Sequence, residues 1–350
     1  MNILFMIGNG FDLNIGLQTR FSDFLPYYVK KAESSDDAIN TFKNAIEKEG
    51  YETWADFEKQ LGMYTKDFNS STKHDVILCR DNFVDELIKY LRVQVNKVNF
   101  DGRDTDIRRV FVDSLTGFFR KNRLPEISFA NILQTFRLLR ASHYTYNFIT
   151  FNYTNILESC LNIIKKQTLP PIWHNNFTPI NVSSLIGEIL HIHGTLDDSV
   201  IVGINGATQI ANDELSQDTD FVSRLAKPLM NKRIRNTKHE QGVKILKSSD
   251  IICVFGMSMG ETDAMWWQWI GYWLSQKENS HLIIWDYAPH YQRGNPGPTM
   301  KYTDHVISRF YRVAQMSMDT SAKVENRIHV GFNNGSDNDL FKINLIKVSD

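Results

Sequence analysis

The sequence predicts an α/β protein built on a doubly wound, mostly parallel sheet with a large helical insertion. Three observations carry this expectation. Short, continuously apolar runs recur along the chain, helix-like stretches separate them, and the first run ends in a glycine-rich turn. A run that is apolar at every position suits a strand covered on both faces, as parallel strands are. Strands that alternate with helices wind into a sheet with helices on both sides.

The first run is Ile3-Leu4-Phe5-Met6-Ile7, closed by Gly8. Residues 30 to 140 then change character: Lys, Glu, Asp, Phe and Leu recur at helical spacing with little strand signal. Asp81 to Val98, for instance, sets Phe83, Leu87, Tyr90, Leu91, Val95 and Val98 on one face. This stretch reads as a helical insertion, leaving residues 1–29 and 141–350 as a Rossmann-like nucleotide-binding core. Strand signals resume at Tyr146–Phe151, Ile189–His193, Val200–Val202, Asp250–Phe255 and His281–Trp285, with a last one at Arg327–Val330. Asp263–Gln276 reads as a helix. Lys166–Leu185, with Pro170, Pro171 and Pro179, reads as a loop, and the polar stretch Asn205–Gly242 as a mobile flap.

The chain has 350 residues, is 42% hydrophobic and carries a net charge of −1, so it can bury a sizeable core and has no global field to attract nucleic acid or an anionic membrane. Its three cysteines, Cys79, Cys160 and Cys253, are odd in number and far apart. They argue against a disulfide framework and a four-cysteine zinc site, and they fit a reducing compartment. No basic region precedes the first apolar run and no apolar stretch reaches 18 residues, so neither a signal peptide nor a membrane span is expected. These features predict a cytoplasmic protein without membrane or nucleic-acid partners.

Four strand ends carry candidate chemistry. Gly8-Asn9-Gly10-Phe11-Asp12 follows the first strand; glycines let the backbone approach a phosphate and a following helix supplies amides. Leu13 stands where the last glycine of G-x-G-x-x-G would be, so a plain strand-exit turn is the competing reading. Phe151-Asn152-Tyr153-Thr154 ends the second core strand, where ligands of open α/β sheets bind. The Asn152 amide can orient a ligand hydroxyl or a water, or cap the next helix. His191-Ile192-His193-Gly194 sets two histidines on one strand face by alternation, and His193, at the strand end, is the better titrating group. Gly256-Met257-Ser258-Met259-Gly260-Glu261-Thr262-Asp263 offers Ser258 and glycine amides to a phosphate or ribose, or acts as a cap alone. Trp266, Trp269 and Trp273 share a helix face that reads as packed core or as a subunit contact. The basic run Lys227, Lys232, Arg233, Arg235, Lys238 and Lys247 reads as solvated surface.

In this order the motifs resemble the bacterial abortive-infection AbiH family. The match rests on Ile7–Leu13, Phe21-Ser22-Asp23-Phe24-Leu25, Trp54-Ala55-Asp56-Phe57-Glu58, Phe151–Thr154, His191–Gly194, Val202-Gly203-Ile204-Asn205 and Gly256–Asp263. The resemblance implies phage defence in which an infected cell stops growing. The same order is similar to the sirtuin-like fold, and that resemblance implies an NAD site. Gly8, Asn9, Gly10, Phe11 and Asp12 would face the phosphates, Asn152 the nicotinamide ribose, His193 its hydroxyls, and Gly256 and Ser258 the adenosine side. The zinc cysteines of protein deacylases are missing, and Thr154 replaces an acidic residue of the sirtuin motif. The expectation is therefore an NAD+ glycohydrolase with Asn152 and His193 catalytic, NAD as substrate rather than cofactor, no metal, a homo-oligomeric state, and a phage-derived or protein trigger. The alternatives are a non-catalytic NAD or ADP-ribose sensor, and a nuclease-type toxin using Asp12, Glu58, His191 and Asp263.

Overall fold

A computed structural model describes residues 1–30, 36–49, 53–165, 183–291, 296–336 and 339–347. Six strands pair among them: β1 Asn2–Ile7, β2 His143–Thr150, β3 Ser183–His191, β4 Ile251–Phe255, β5 His281–Tyr287 and β6 Ile328–Asn333. Every pairing is parallel, in the order β3-β2-β1-β4-β5-β6. The chain winds outward from β1 in one direction, then returns to the other side of β1 and winds the opposite way. The topological switch point lies between β1 and β4, where dinucleotide-binding sheets of this order open a crevice at their carboxyl edge.

The continuously apolar runs work as two interleaved faces. Ile3, Phe5 and Ile7 join one core with Ile251, Cys253, Phe255, Ile283 and Trp285, while Leu4 and Met6 join the opposite core with Ile252, Val254, Leu282 and Ile284. The first face is covered by α1 Gly10–Asn14, α6 Asp104–Gly117, α7 Glu126–Leu139 and α8 Ile156–Lys165. The second is covered by α12 Lys238–Ser248, α13 Ala264–Gln276, α14 Pro296–Val313 and α15 Met318–Val324. Trp266, Trp267 and Trp273 on α13 are buried in that second core, and the Trp273 indole donates to the Ser249 carbonyl at 2.9 Å.

A third core stands apart from both faces. It joins α2 Phe21–Lys30, α3 Asp37–Glu49, α4 Trp54–Met63 and α5 Lys73–Val95 to Val202, Ile204, Leu215, Phe221, Val222, Leu225 and Ala226. Packing therefore groups the chain differently from the expected boundaries at 30 and 140. Helices α6 and α7 belong to the sheet, and the segment after β3 belongs with α2–α5. That segment was expected to be a mobile flap, but it forms α9 Asp213–Gln217, α10 Thr219–Leu225 and α11 Lys227–Arg233 with buried apolar side chains. In Val200–Val202, Ile201 and Val202 are buried and Val200 is half-buried, but the segment joins no sheet; it is held just beyond β3 by the Ile201 amide on the His193 carbonyl at 2.9 Å. The prolines read as a loop, Pro170, Pro171 and Pro179, lie outside the described residues.

Candidate functional site

The carboxyl edge at the switch point is built on two crossing turns. The Gly8 amide donates to the Phe255 carbonyl and the Gly10 amide to the Gly256 carbonyl, each at 2.9 Å, while the Phe11 amide closes back on Gly8 at 3.0 Å. A Cβ on Gly10 would stand 2.5 Å from the Gly256 Cα, and Gly256 itself has φ +62. The glycines thus let one turn lie on the other. Three of the amides expected to face phosphates are bonded within the turns instead, and the Phe11 ring is buried against Phe111 and Phe341. Asn9 faces away from the strands: its carboxamide exchanges two 2.7 Å bonds with Thr19, whose carbonyl also takes the Trp54 indole at 3.0 Å. Of the β4 turn, Ser258 is exposed and its carbonyl accepts from the Trp267 indole at 3.3 Å.

Just beyond the crossing, Asp12 on α1 is only 2% exposed. The Thr154 hydroxyl reaches both of its carboxyl oxygens, at 2.8 and 3.0 Å. Burial pushes the Asp12 carboxyl up to about 7, against the opposing pull of Thr154 and of neighbouring Asn152. A buried carboxyl held only by neutral groups keeps a proton that an exposed one would lose. Asn152, 5% exposed, leaves its Oδ1 without a partner, and its Nδ2, although near enough to Asp12 to favour the ionised carboxyl, makes no hydrogen bond of good geometry among the described residues. Leaving the ends of a buried amide without good hydrogen bonds is unfavourable by roughly 1–3 kcal/mol per group. Its backbone, in contrast, is fixed: the amide donates to Thr150 Oγ1 at 3.2 Å and the carbonyl accepts from His191 Nδ1 at 3.1 Å.

A second buried cluster adjoins the end of β3. His193 Nε2 lies 3.2 Å from Asp263 Oδ1, and the same oxygen takes the Lys227 ammonium at 3.0 Å. Lys227 also donates to Glu58 Oε2 at 2.8 Å, and Glu58 Oε1 accepts the Gly203 amide at 3.3 Å. Burial alone would lower the Lys227 ammonium, yet Asp263 and Glu58 hold it above its ordinary value. Burial likewise raises Asp263, but Lys227 and His193 overcome it and hold the carboxyl well below the usual range. Phe151 meets the His193 ring edge-on and Tyr153 lies tilted against it.

The two histidines of β3 do not share a face. The strand ends at His191 and the chain turns at Gly194, φ +79, so the expected alternation stops there. His191 points to Asn152 and to Glu158 of α8 at 3.5 Å, and burial lowers its pKa so that it stays neutral. It supports Asn152 from behind, while His193 faces the ionic cluster. Among the described residues no group of three or more His, Cys, Asp or Glu side chains is placed to hold a metal ion.

A model of the bacteriophage abortive infection AbiH family matches residues 4–285. The chain belongs to that family. No match was found among curated proteins. The AbiH match runs from β1 into β5 and takes in every residue of both clusters, and membership places the chain in abortive-infection defence against bacteriophage. No helix among the described residues of this AbiH chain is long and apolar enough to cross a membrane. Sequence reasoning missed Lys227, read as the start of a solvated basic run. Lys232, Arg233, Arg235 and Lys247 of that run are indeed exposed, but Lys227 is buried. The signal was its setting, Leu225-Ala226-Lys227-Pro228-Leu229-Met230, which is apolar where the later basic residues are not.

Proposed function

We propose that this AbiH-family effector hydrolyses NAD+ to nicotinamide and ADP-ribose. The observation that carries the reading is the Asn152 carboxamide, buried at the carboxyl edge with neither polar end in a hydrogen bond of good geometry among the described residues. Such a group is retained where a ligand completes its bonds. The sheet order supports a dinucleotide, since Asn152 follows β2, the strand that flanks β1 on the side away from the switch point. Asn152 orients the ribose and the attacking water. As the water oxygen bonds to the ribose carbon, the carbon–nitrogen bond breaks and its electron pair leaves with neutral nicotinamide. His193 takes the proton that the water loses and later releases it to solvent. Asp12 holds a ribose hydroxyl. With the Gly8, Gly10 and Phe11 amides of the β1 turn engaged, the β4 turn from Gly256 to the exposed Ser258 takes the diphosphate side.

The test is nicotinamide release, followed by chromatography, from purified protein given NAD+ and lysate of phage-infected cells. Asn152→Ala and His193→Ala should each lower the rate by about 10²-fold or more, the range of general-base and positioning effects. Asn152→Ala should leave thermal stability unchanged or raised, because it removes a poorly paired buried amide. Intact NAD+ under every trigger, or full activity in both variants, would sink the proposal. Tight calorimetric binding without nicotinamide release would point to a sensor instead.

A further inference from the structure

The ionic cluster of Glu58, Lys227, Asp263 and His193 holds more charge than packing requires. Two carboxylates meet one ammonium there, all buried or nearly so, an excess of one negative charge within the ion-paired group. A buried charge of that kind is unfavourable unless something positive meets it. A neighbour able to become positive is the His193 ring, and it touches the shared carboxylate through Nε2. Asp263 Oδ1 accepts from Lys227, and a hydrogen bond to the ring then requires the proton on Nε2.

We propose that Asp263 is a positioning residue that fixes His193 with Nε2–H toward the carboxylate, leaving Nδ1 as the atom that accepts the proton in the reaction. The identity of the proton donor rests on the NAD+ hydrolysis proposed above; the ring orientation does not. In the step, the O–H bond of the attacking water breaks, Nδ1 gains the proton, and the imidazolium so formed is met by the surplus negative charge of Asp263 and Glu58. Lys227 keeps Asp263 ionised and seated, and Glu58 on α4 ties that lysine to the helical layer. Residues far apart in sequence thereby hold one ring in one tautomer, the arrangement by which an acid–base histidine is made ready.

The test is a proton NMR spectrum of the full chain in water. A hydrogen-bonded, buried imidazole N–H should give a low-field, slowly exchanging resonance that disappears in His193→Gln. It should also disappear in Asp263→Leu, a variant that leaves Lys227 paired with Glu58 and so keeps the interior charge balanced. On NAD+ the same variant should lose about 10- to 100-fold in kcat with KM little changed. Absence of the resonance from the wild-type protein, or its persistence in Asp263→Leu, overturns the assignment. If the resonance behaves as expected while the wild-type protein never consumes NAD+, the positioning stands and the proposed reaction falls.

Discussion

At the scale of single residues, Asp12 is a carboxyl taken almost wholly out of water. Its carboxyl titrates at about 7 in the fold, against 3.8 ordinarily, because it is buried among neutral groups. A carboxyl raised on folding contributes stability that is complete below pH 3.8 and is lost as the pH climbs through 7. The slope is about 1.4 kcal/mol per pH unit, giving a total on the order of 4 kcal/mol. Asp12→Asn removes this dependence. The variant should melt above the wild type at pH 8, with the gap narrowing toward pH 4; equal gaps at both pH values would show that the carboxyl is not the strained group. A gain in stability from replacing a site residue is the usual mark of a position kept for function. Asp12 was legible from its nearness to the first turn, and Asn152 and His193 from their places at strand ends. Lys227 was not read, because its apolar setting was outweighed by the exposed basic residues that follow it in the same run.

Among elements, the crossing of the β1 and β4 turns makes the firmest demand on sequence. Gly256→Ala combines a strained positive φ with a Cβ only 2.6 Å from the Gly10 Cα. It should lower unfolding stability by about 2–4 kcal/mol, read as a shift in the urea midpoint at constant slope. Gly10→Ala should act on the same contact, so the double variant should lose less than the sum of the two. A strictly additive double variant would separate the turns energetically and contradict the crossing. The strands themselves were readable because burial on both faces makes them apolar throughout. What sequence alone withheld was pairing. Val200–Val202 has a strand's composition but meets no neighbouring strand. The glycine turns read as a phosphate cradle because a close approach is all that glycine announces, whether the thing approached is a ligand or another turn. Helices α9, α10 and α11 were missed because five to seven residues are too few to show a helical period.

The molecule as a whole carries titrating groups at both ends of its sheet. Opposite the candidate site, His281 at the start of β5 and His329 near the start of β6 meet at 2.9 Å, with Thr135 of α7 on the far nitrogen of His281 at 2.8 Å. Burial, aided by Arg327, lowers His281 to about 4, and burial, aided by His281, lowers His329 to about 3. Both rings are neutral when folded. The unfolded chain binds protons below about pH 6.5 that the folded chain refuses, so this stability is present above 6.5 and is lost as the pH falls toward 4 and 3. Each ring contributes a slope of about 1.4 kcal/mol per pH unit, opposite in sign to that of Asp12. Equilibrium unfolding between pH 4 and 6.5 should show His329→Gln with a shallower acid limb by about one such slope. An unchanged limb would place the acid sensitivity elsewhere.

The pairing of β1 sets a timetable. This first strand lies between β2 and β4, and its partner Ile251 emerges from the ribosome only after most of the chain has been translated. At about 5–20 residues per second, that delay is on the order of tens of seconds. Glu58 waits for Lys227 through much of the same interval, and His193 waits a shorter time for Asp263. A chain that ends before Ile251 therefore lacks both the β4 partner of β1 and the Asp263 carboxylate that meets His193.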